Sequence, residues 1–216
     1  QSGVGWKTRL MRNPVFFLSL LLSVCGFAAD SVLAPFVQRE ELAGAVALVA
    51  NKDKVLNVTT VGFADIEAKK PMSADAIFWI ASQSKGITAT AVMMLVDEGK
   101  ISLDDSVEKY LPEFKDQKVS AGKAAPVARV RSITIRDLLS HVSGLPFKSV
   151  EETPTLDGLP LAVAVKNYAK APLVTQPGVK YQYSNAGINT AARVLEVVSG
   201  MAYEDFMDKR LFGPLG

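Results

Sequence analysis

The tetrapeptide Ser82-Gln83-Ser84-Lys85 contains two residue types that can carry out covalent catalysis. On a helix, residues three positions apart lie on one face, about 5–6 Å from each other. A serine hydroxyl is a poor nucleophile until a neighbouring base removes its proton. A lysine amine can act as that base when burial and the positive end of a helix favour its neutral form. Backbone N–H groups at the helix start can also stabilise an oxyanion.

The S-x-x-K string by itself is weak evidence, because Ser106…Lys109 and Ser120…Lys123 match it as well. Only Ser82 lies where an extended apolar segment changes into a long amphipathic pattern. Ser106 follows two aspartates, and Ser120 lies in a polar stretch without a period. The context therefore favours Ser82 as the nucleophile and Lys85 as its partner.

About one hundred residues later, Tyr183-Ser184-Asn185 precedes a second amphipathic pattern. A tyrosine near an ammonium group has its phenolate favoured, so it can transfer protons, and an asparagine amide can orient Lys85 and a substrate. The alternatives are a core tyrosine with a satisfied hydroxyl and an asparagine that caps a helix.

Local patterns predict the elements that must position these residues. Gly44–Ala50 and Val55–Gly62 are predicted to form a hairpin, and a long helix is predicted to begin at or just after Ser82 and to end at Gly99. The segment 115–131 is expected to be a solvated loop. Five more helices are predicted, and the second of them is opened by a capping box at Thr134…Asp137. In chain order they are Asp30–Glu41, the short helix after Thr134, Leu161–Lys170, Ala186–Ser199 and Tyr203–Leu211.

The amino-acid composition excludes several classes of protein as candidates for this chain. The 216 residues are 49% hydrophobic and 21% charged with a net charge of +2, which is typical of a globular protein. Residues 1–28 contain three basic residues and no acidic one, so the remainder is close to neutral and does not resemble a nucleic-acid binder. One cysteine and one histidine exclude an internal disulfide and a zinc site with several His or Cys ligands. No metal or cofactor is expected.

The N-terminal 28 residues are expected to be a signal peptide. Basic residues precede the apolar run Val15–Ala29, and small residues at Gly26 and Ala28 fit cleavage after Ala28. Residues 1–10 then resemble translated sequence upstream of a start at Met11. Export to the periplasm or the extracellular space is the expectation. A buried core helix and a lipid anchor on Cys25 are the alternatives, although Val24 fits a lipid-attachment motif poorly.

Together these motifs resemble the serine β-lactamase and penicillin-binding superfamily, most closely class C β-lactamases, D-alanyl-D-alanine carboxypeptidases and esterases of the β-lactamase fold. The resemblance begins near residue 31 and runs to the end of the sequence. Five segments carry it in the order of the family: Phe78–Lys85, Leu103–Asp105 with Tyr110–Phe114, Leu138–Pro146, Tyr183–Gly187 and Phe212–Gly216.

The resemblance implies an α+β fold of the β-lactamase/transpeptidase type, with an antiparallel sheet flanked by helices and a helical subdomain. Residues 29–216 would be its N-terminal part. It implies that Ser82 is acylated, that Lys85 activates it, that Tyr183 is the general base and acid, and that Asn185 and Gln83 give polar support. A small-molecule or peptidoglycan-type substrate follows, and the visible motifs do not separate esters, β-lactams and D-Ala-D-Ala peptides.

The resemblance also implies elements that are not in this sequence. The family's third motif, K-[ST]-G or H-x-G, does not occur here, and the expected C-terminal strands are missing. Since the loss of one oxyanion donor costs about 10²–10³ in rate, this polypeptide is expected to be inactive or poorly folded. Other functions considered are a non-catalytic binding or sensor protein, an inactive remnant of the same fold and a membrane-anchored structural protein.

His141 suggests a Ser–His hydrolase as a rival, but the sequence does not support one. A G-x-S-x-G elbow is absent, because Ser82 stands where the first glycine of Ser82–Gly86 would be needed. His141 is therefore expected to be structural, with its ring satisfied in a tight turn.

Overall fold

The computed structural model describes residues 31–153 and 158–216. The predicted signal peptide, the possible lipid anchor at Cys25 and the predicted cap at Asp30 lie outside the described residues. The chain divides into two units, Gln1–Trp79 and Ile80–Gly216, which are described separately.

The first unit contains a short helix and an antiparallel sheet. Residues 31–38 are helical (α1). Strands β1 (Gly44–Ala50), β2 (Val55–Asp65) and β3 (Lys70–Pro71) follow in the order β1-β2-β3. β1 and β2 pair with Gly44 opposite Gly62, and Asn51 Oδ1 closes their turn by accepting the N–H groups of residues 53 and 54 at 2.9 Å each. The predicted hairpin is confirmed, whereas β3 was not predicted.

The second unit is mainly helical, and the helix α5 lies at its centre. Its helices are α2 (Gln83–Asp97), α3 (Ile135–Leu139), α4 (Leu161–Lys170), α5 (Asn185–Ser199), α6 (Tyr203–Phe206), a π-helical segment (Met207–Phe212) and α7 (Gly213–Leu215). Short 3₁₀ turns cover Val107–Lys109, Pro112–Phe114 and Val150–Glu152. Within the described part of the chain, no helix has the length and apolar character required to cross a membrane.

The helix α5 contacts α2, α3, α4 and α6, and it is buried on most of its circumference. Small residues such as Ala186 and Ala191 allow this close packing, and Leu195 inserts into the same core. The core of the unit is dominated by large side chains that are almost completely removed from solvent: Leu95, Phe114, Ile133, Leu138, Tyr168, Leu195 and Phe206. This packing fixes the N-terminus of α5, which directly follows Tyr183.

The polar stretch 115–131 is not the loop that the sequence predicted. It contains a hairpin of β4 (Lys118–Ala121) and β5 (Ala124–Ala128), with Val119 buried. Two backbone bonds join β4 to Leu173: the Leu173 N–H donates to Lys118 O at 2.8 Å, and the Ser120 N–H donates to Leu173 O at 2.7 Å. Because these bonds come from a distant segment, local periodicity did not reveal the strands.

The capping box predicted at the start of α3 is confirmed. The Asp137 N–H donates to Thr134 Oγ1 at 3.2 Å, and the Thr134 N–H donates to Asp137 Oδ2 at 2.9 Å. These reciprocal bonds satisfy two N–H groups that the helix leaves free. Asp137 also pairs with Arg131, so the box is tied to the end of the β4–β5 segment.

The loop after α3 depends on Gly144, and this dependence can be tested. Gly144 has φ +80°, and a Cβ there would overlap the carbonyl oxygen of Thr175. Gly122 has a similar φ of +68° with open space around it. We expect Gly144→Ala to lower the free energy of unfolding by at least about 2 kcal/mol, and Gly122→Ala by about 1 kcal/mol, because only the first adds a backbone clash to the left-handed strain. Urea unfolding measures both, and equal losses would contradict this account.

Candidate active site

The helix α2 begins directly after Ser82, in agreement with the prediction that it begins at or just after this residue. Ser82 is the exposed N-cap residue, with φ −69° and ψ −7°, and its hydroxyl makes no cap bond to the helix. The preceding residue, Ala81, has φ +46°, a left-handed conformation that is unfavourable for a residue with a Cβ. The Ser84 hydroxyl donates to Ala81 O at 2.6 Å and helps to hold this bend. The Ser82 hydroxyl is thus not used to cap the helix that follows this bend.

The first turn of α2 leaves one N–H group available beside the Ser82 hydroxyl. The N–H groups of Gln83, Ser84 and Lys85 donate to the carbonyls of residues 80, 81 and 82 at 3.1–3.2 Å. The N–H of Ser82 donates to none of the described residues. It is therefore the N–H of this turn that can serve as an oxyanion donor.

Lys85 contacts Ser82 directly. Its Nζ donates to Ser82 Oγ at 3.1 Å. The other two S-x-x-K strings have no such bond among the described residues. Lys109 Nζ instead donates to Asp105 Oδ1 at 2.9 Å, while Ser120 lies in strand β4 and Lys123 in the exposed turn that follows it. The geometry thus agrees with the sequence context, which favoured Ser82 and Lys85 over the other two strings.

Tyr183 joins the same cluster from a distant part of the chain. Hydrogen bonds with Ser82 and Lys85 hold the pKa of Tyr183 below its usual value. The Lys85 ammonium also lies 4.9 Å from the centre of the Tyr183 ring. The positive charge favours the phenolate over the neutral phenol, which suits Tyr183 to accept a proton.

The start of α5 is anchored through Ser184, the residue next to Tyr183. Ser184 Oγ accepts the N–H of Gly187 at 3.0 Å and donates to Pro146 O at 2.6 Å. The N–H groups of Asn185 and Ala186 both donate to Phe147 O, at 3.0 and 3.2 Å. These bonds tie the residue after Tyr183 to the loop that follows α3.

Asn185 and Gln83, the two residues predicted to give support, are near the cluster without bonding to it. Asn185 is the first residue of α5, and Ser184 is the cap, so the alternative role of Asn185 as the cap is wrong. No hydrogen bond joins the Asn185 side chain to any described residue, and its Oδ1 is buried without a partner. Gln83 is exposed, and its side chain makes no bond within the described residues. Their supporting roles stay predictions.

His141 lies in the turn after α3, where the sequence placed it. Its φ is +59°, its ring is half-buried, and its Nδ1 accepts the Ser184 N–H at 3.1 Å. Its ring centre also lies 4.6 Å from that of Tyr183. The sequence analysis missed this contact with Tyr183, because nothing in the spacing of two residues 42 positions apart indicates a shared site.

The comparison with protein families decides the classification. The family model described as Beta-lactamase matches residues 29–216. The chain belongs to the Beta-lactamase family. The members of this family are serine hydrolases. The cluster of Ser82, Lys85 and Tyr183 therefore occurs in a chain whose family uses hydrolytic chemistry.

The chain is similar to two curated proteins and to one solved structure. An uncharacterized protein of Mycobacterium tuberculosis is 35% identical over 188 residues, 81% of this chain and 46% of that protein. Esterase EstB of Burkholderia gladioli is 33% identical over 199 residues, 87% of this chain and 49% of the esterase. The solved structure of EstCE1, a hydrolase with promiscuous acyltransferase activity, matches with a TM-score of 0.68 and 32% identity, covering 88% of this chain and 53% of EstCE1.

The chain therefore spans about half the length of the relatives it matches. The predicted resemblance and the α+β fold of the β-lactamase and penicillin-binding type are confirmed. In residues 31–153 and 158–216, no group of three or more His, Cys, Asp or Glu side chains could hold a metal ion.

Proposed function

We propose that the protein is a serine hydrolase that forms an acyl-enzyme on Ser82 and acts on carboxylic esters. The observation that carries the proposal is the arrangement of three side chains, in which Lys85 Nζ donates to Ser82 Oγ at 3.1 Å and lies 4.9 Å from the centre of the Tyr183 ring. A nucleophile, a cation and a proton acceptor in mutual contact are the groups that acyl transfer requires.

In this proposal Tyr183 is the base and Lys85 supplies positive charge. Lys85 donates toward Ser82 Oγ and so orients the oxygen, while the interactions with Ser82 and with Lys85 lower the pKa of Tyr183. A lowered pKa means that Tyr183 forms its phenolate more readily than a free tyrosine does, so it is suited to accept the serine proton. A base is most effective when its pKa lies near the working pH, and the lowering moves Tyr183 in that direction.

The reaction proceeds in two steps through these groups. The Ser82 proton moves to the Tyr183 phenolate, Oγ bonds to the ester carbonyl carbon, and the negative charge on the carbonyl oxygen faces the Ser82 N–H. The bond to the alkoxy oxygen then breaks, and the leaving alcohol takes the proton from Tyr183. Water next gives its proton to Tyr183 and attacks the acyl carbon, and Ser82 Oγ leaves with that proton. The products are the acid, the alcohol and the restored enzyme.

Two relatives support esters as the substrate class: EstB is an esterase, and EstCE1 is a hydrolase with promiscuous acyltransferase activity. Acyl transfer to an added alcohol would use the same intermediate, with the alcohol in place of water. A β-lactam or a D-Ala-D-Ala peptide would also acylate Ser82, so the substrate class needs a direct comparison.

The experiment compares three acyl donors in parallel: a p-nitrophenyl ester, a chromogenic cephalosporin and a D-Ala-D-Ala peptide. Intact mass spectrometry follows the adduct, and peptide mapping locates it. We expect the ester to acylate Ser82 at least ten times faster than the other two. Faster reaction with the cephalosporin would overturn the substrate class alone, whereas reversible binding without any adduct would support a binding or sensor protein instead.

We also propose that the protein is exported. The support is the sequence pattern of residues 1–28, with small residues before the proposed cut after Ala28. Mass spectrometry of the mature protein from its host should find Ala29 at the N-terminus. A lipid-modified Cys25 at the N-terminus would contradict the cut and support the anchor.

A further inference from the structure

His141 holds the chain on both sides of Tyr183. The Gln182 N–H donates to His141 O at 2.7 Å, and the Ser184 N–H donates to His141 Nδ1 at 3.1 Å. Gln182 and Ser184 are the two sequence neighbours of Tyr183. One residue therefore bonds to the backbone before and after the proposed base.

The ring of His141 also packs on the Tyr183 ring, with the centres 4.6 Å apart and the planes tilted by 34°. Tyr181 approaches the imidazole edge-on at 5.8 Å. The His141 side chain thus limits the rotation of the Tyr183 ring in addition to holding its backbone. These contacts limit the positions that the Tyr183 ring can take beside Lys85.

The bond from Ser184 requires the neutral form of His141. A ring nitrogen that accepts an N–H bond carries no proton, so the proton of the neutral ring is on Nε2. Protonation of Nδ1 would set an N–H donor against the Ser184 N–H. It would also add a second positive charge near Lys85. The bond that holds the chain after Tyr183 would be lost, while the bond from the Gln182 N–H to the His141 carbonyl would remain.

We propose that His141 is a positioning residue for Tyr183 and that protonation of its side chain switches the site off at acidic pH. This inference rests on the proposed function, because it acts through the proton transfer between Ser82 and Tyr183. The Beta-lactamase family assignment by itself says nothing of such a switch.

The groups that face His141 favour its neutral form at neutral pH. They are Lys85 from α2 and Tyr181 and Tyr183 from the segment before α5. Burial and the Lys85 ammonium hold the pKa of His141 below its usual value, although the bond from Ser184 opposes the shift. No carboxylate from the described residues contributes to it. His141 therefore stays neutral at neutral pH, and it takes up its proton only in more acidic solution.

Two variants distinguish the effect of the His141 side chain from an effect on folding. His141→Asn keeps an acceptor near Nδ1 without titrating, and asparagine tolerates a positive φ. His141→Gly also accepts the positive φ but removes both the acceptor and the ring. In both variants the main-chain carbonyl that receives the Gln182 N–H remains. Lys123→Gln, in the exposed turn between β4 and β5, is the control.

The readout is the rate of Ser82 labelling by a fluorophosphonate as a function of pH. As the pH falls, the labelling rate of the wild type should first decrease with a one-proton slope, because Tyr183 takes up a proton. Below the His141 pKa the slope should correspond to two protons, because His141 takes up a proton as well. His141→Asn should stay within about five-fold of wild type at neutral pH and keep the one-proton slope throughout. His141→Gly should be about ten- to a hundred-fold slower at neutral pH, with a similar unfolding free energy. Lys123→Gln should match wild type.

Nuclear magnetic resonance gives a readout that does not need activity. The chain has one histidine, so its imidazole signals belong to His141. We expect the neutral ring to carry its proton on Nε2, a pKa below the usual histidine value and a higher pKa in Lys85→Met.

The outcomes separate the inference from the function on which it rests. A proton on Nδ1, a two-proton slope that persists in His141→Asn, or a one-proton slope in the wild type would overturn the role of His141. If the nuclear magnetic resonance results are as expected but Ser82 is not labelled in any protein, the proposed function is what fails.

Discussion

Replacing Ser82 by alanine should lower the rate of covalent labelling by at least about 10⁴-fold, because Ser82 Oγ is the nucleophile of the proposed reaction. Ser82 Oγ receives the Lys85 Nζ bond and contacts Tyr183, so its loss removes the nucleophile and leaves the other two residues in place. A fluorophosphonate with a fluorescent tag measures the rate. The method detects one covalent modification per molecule and does not need turnover, so it can measure even a slow enzyme.

The chain supplies matched controls for this experiment. Ser106→Ala and Ser120→Ala remove the serines of the other two S-x-x-K strings, neither of which bonds to its lysine in the described structure. Both should be labelled at the wild-type rate within about two-fold. Labelling of Ser82→Ala at the same rate as wild type would show that the nucleophile lies elsewhere. Equal loss in all three variants would indicate a general effect on folding.

Lys85→Met should slow Ser82 labelling by about 10²–10⁴-fold at neutral pH. Methionine has a similar length but no charge, so it removes the bond to Ser82 Oγ and the cation beside Tyr183. Lys85→Arg keeps the charge and cannot act as a base, because arginine stays protonated. If Lys85 works as a cation, as proposed, Lys85→Arg should be faster than Lys85→Met. Equal loss in the two variants would favour a neutral lysine as the base.

The pH dependence of Lys85→Met gives a further result with a definite sign. Bonds from Ser82 and Lys85 lower the pKa of Tyr183, so the labelling rate of the wild type rises with pH through a midpoint below the usual tyrosine value. Removal of the ammonium favours the phenol over the phenolate and moves that midpoint to higher pH. The ultraviolet absorbance of the phenolate, corrected with Tyr183→Phe, measures the same shift directly. A midpoint that moves to lower pH would contradict the role of Lys85.

The elements predicted well are those specified by local patterns. The hairpin of β1 and β2, the start of α2 and the capping box of α3 all depend on residues within one turn or one hairpin of each other. Helix α4 has the predicted bounds, Leu161–Lys170. Such patterns are read correctly because the interactions that stabilise them are close in sequence.

The elements predicted poorly depend on distant partners. The strands β4 and β5 were expected to be a loop. They form because β4 bonds to Leu173, which is distant in sequence, and buries Val119 against the core. The last predicted helix, Tyr203–Leu211, begins correctly but changes from α-helical to π-helical geometry at Met207. In both cases the contacts of the folded chain outweigh the local preference.

The sequence by itself determined the chemical types at the site and the helix start that presents Ser82. It did so because a nucleophile, a lysine one turn later and an N-terminal helix signal are local features. The context in the sequence also favoured Ser82…Lys85 over the other two strings. Only the tertiary structure showed the bond between Ser82 and Lys85, brought Tyr183 to them and bonded His141 to the residues before and after Tyr183. These contacts depend on the packing of α5 against α2 and α3, which brings together segments that are far apart in sequence.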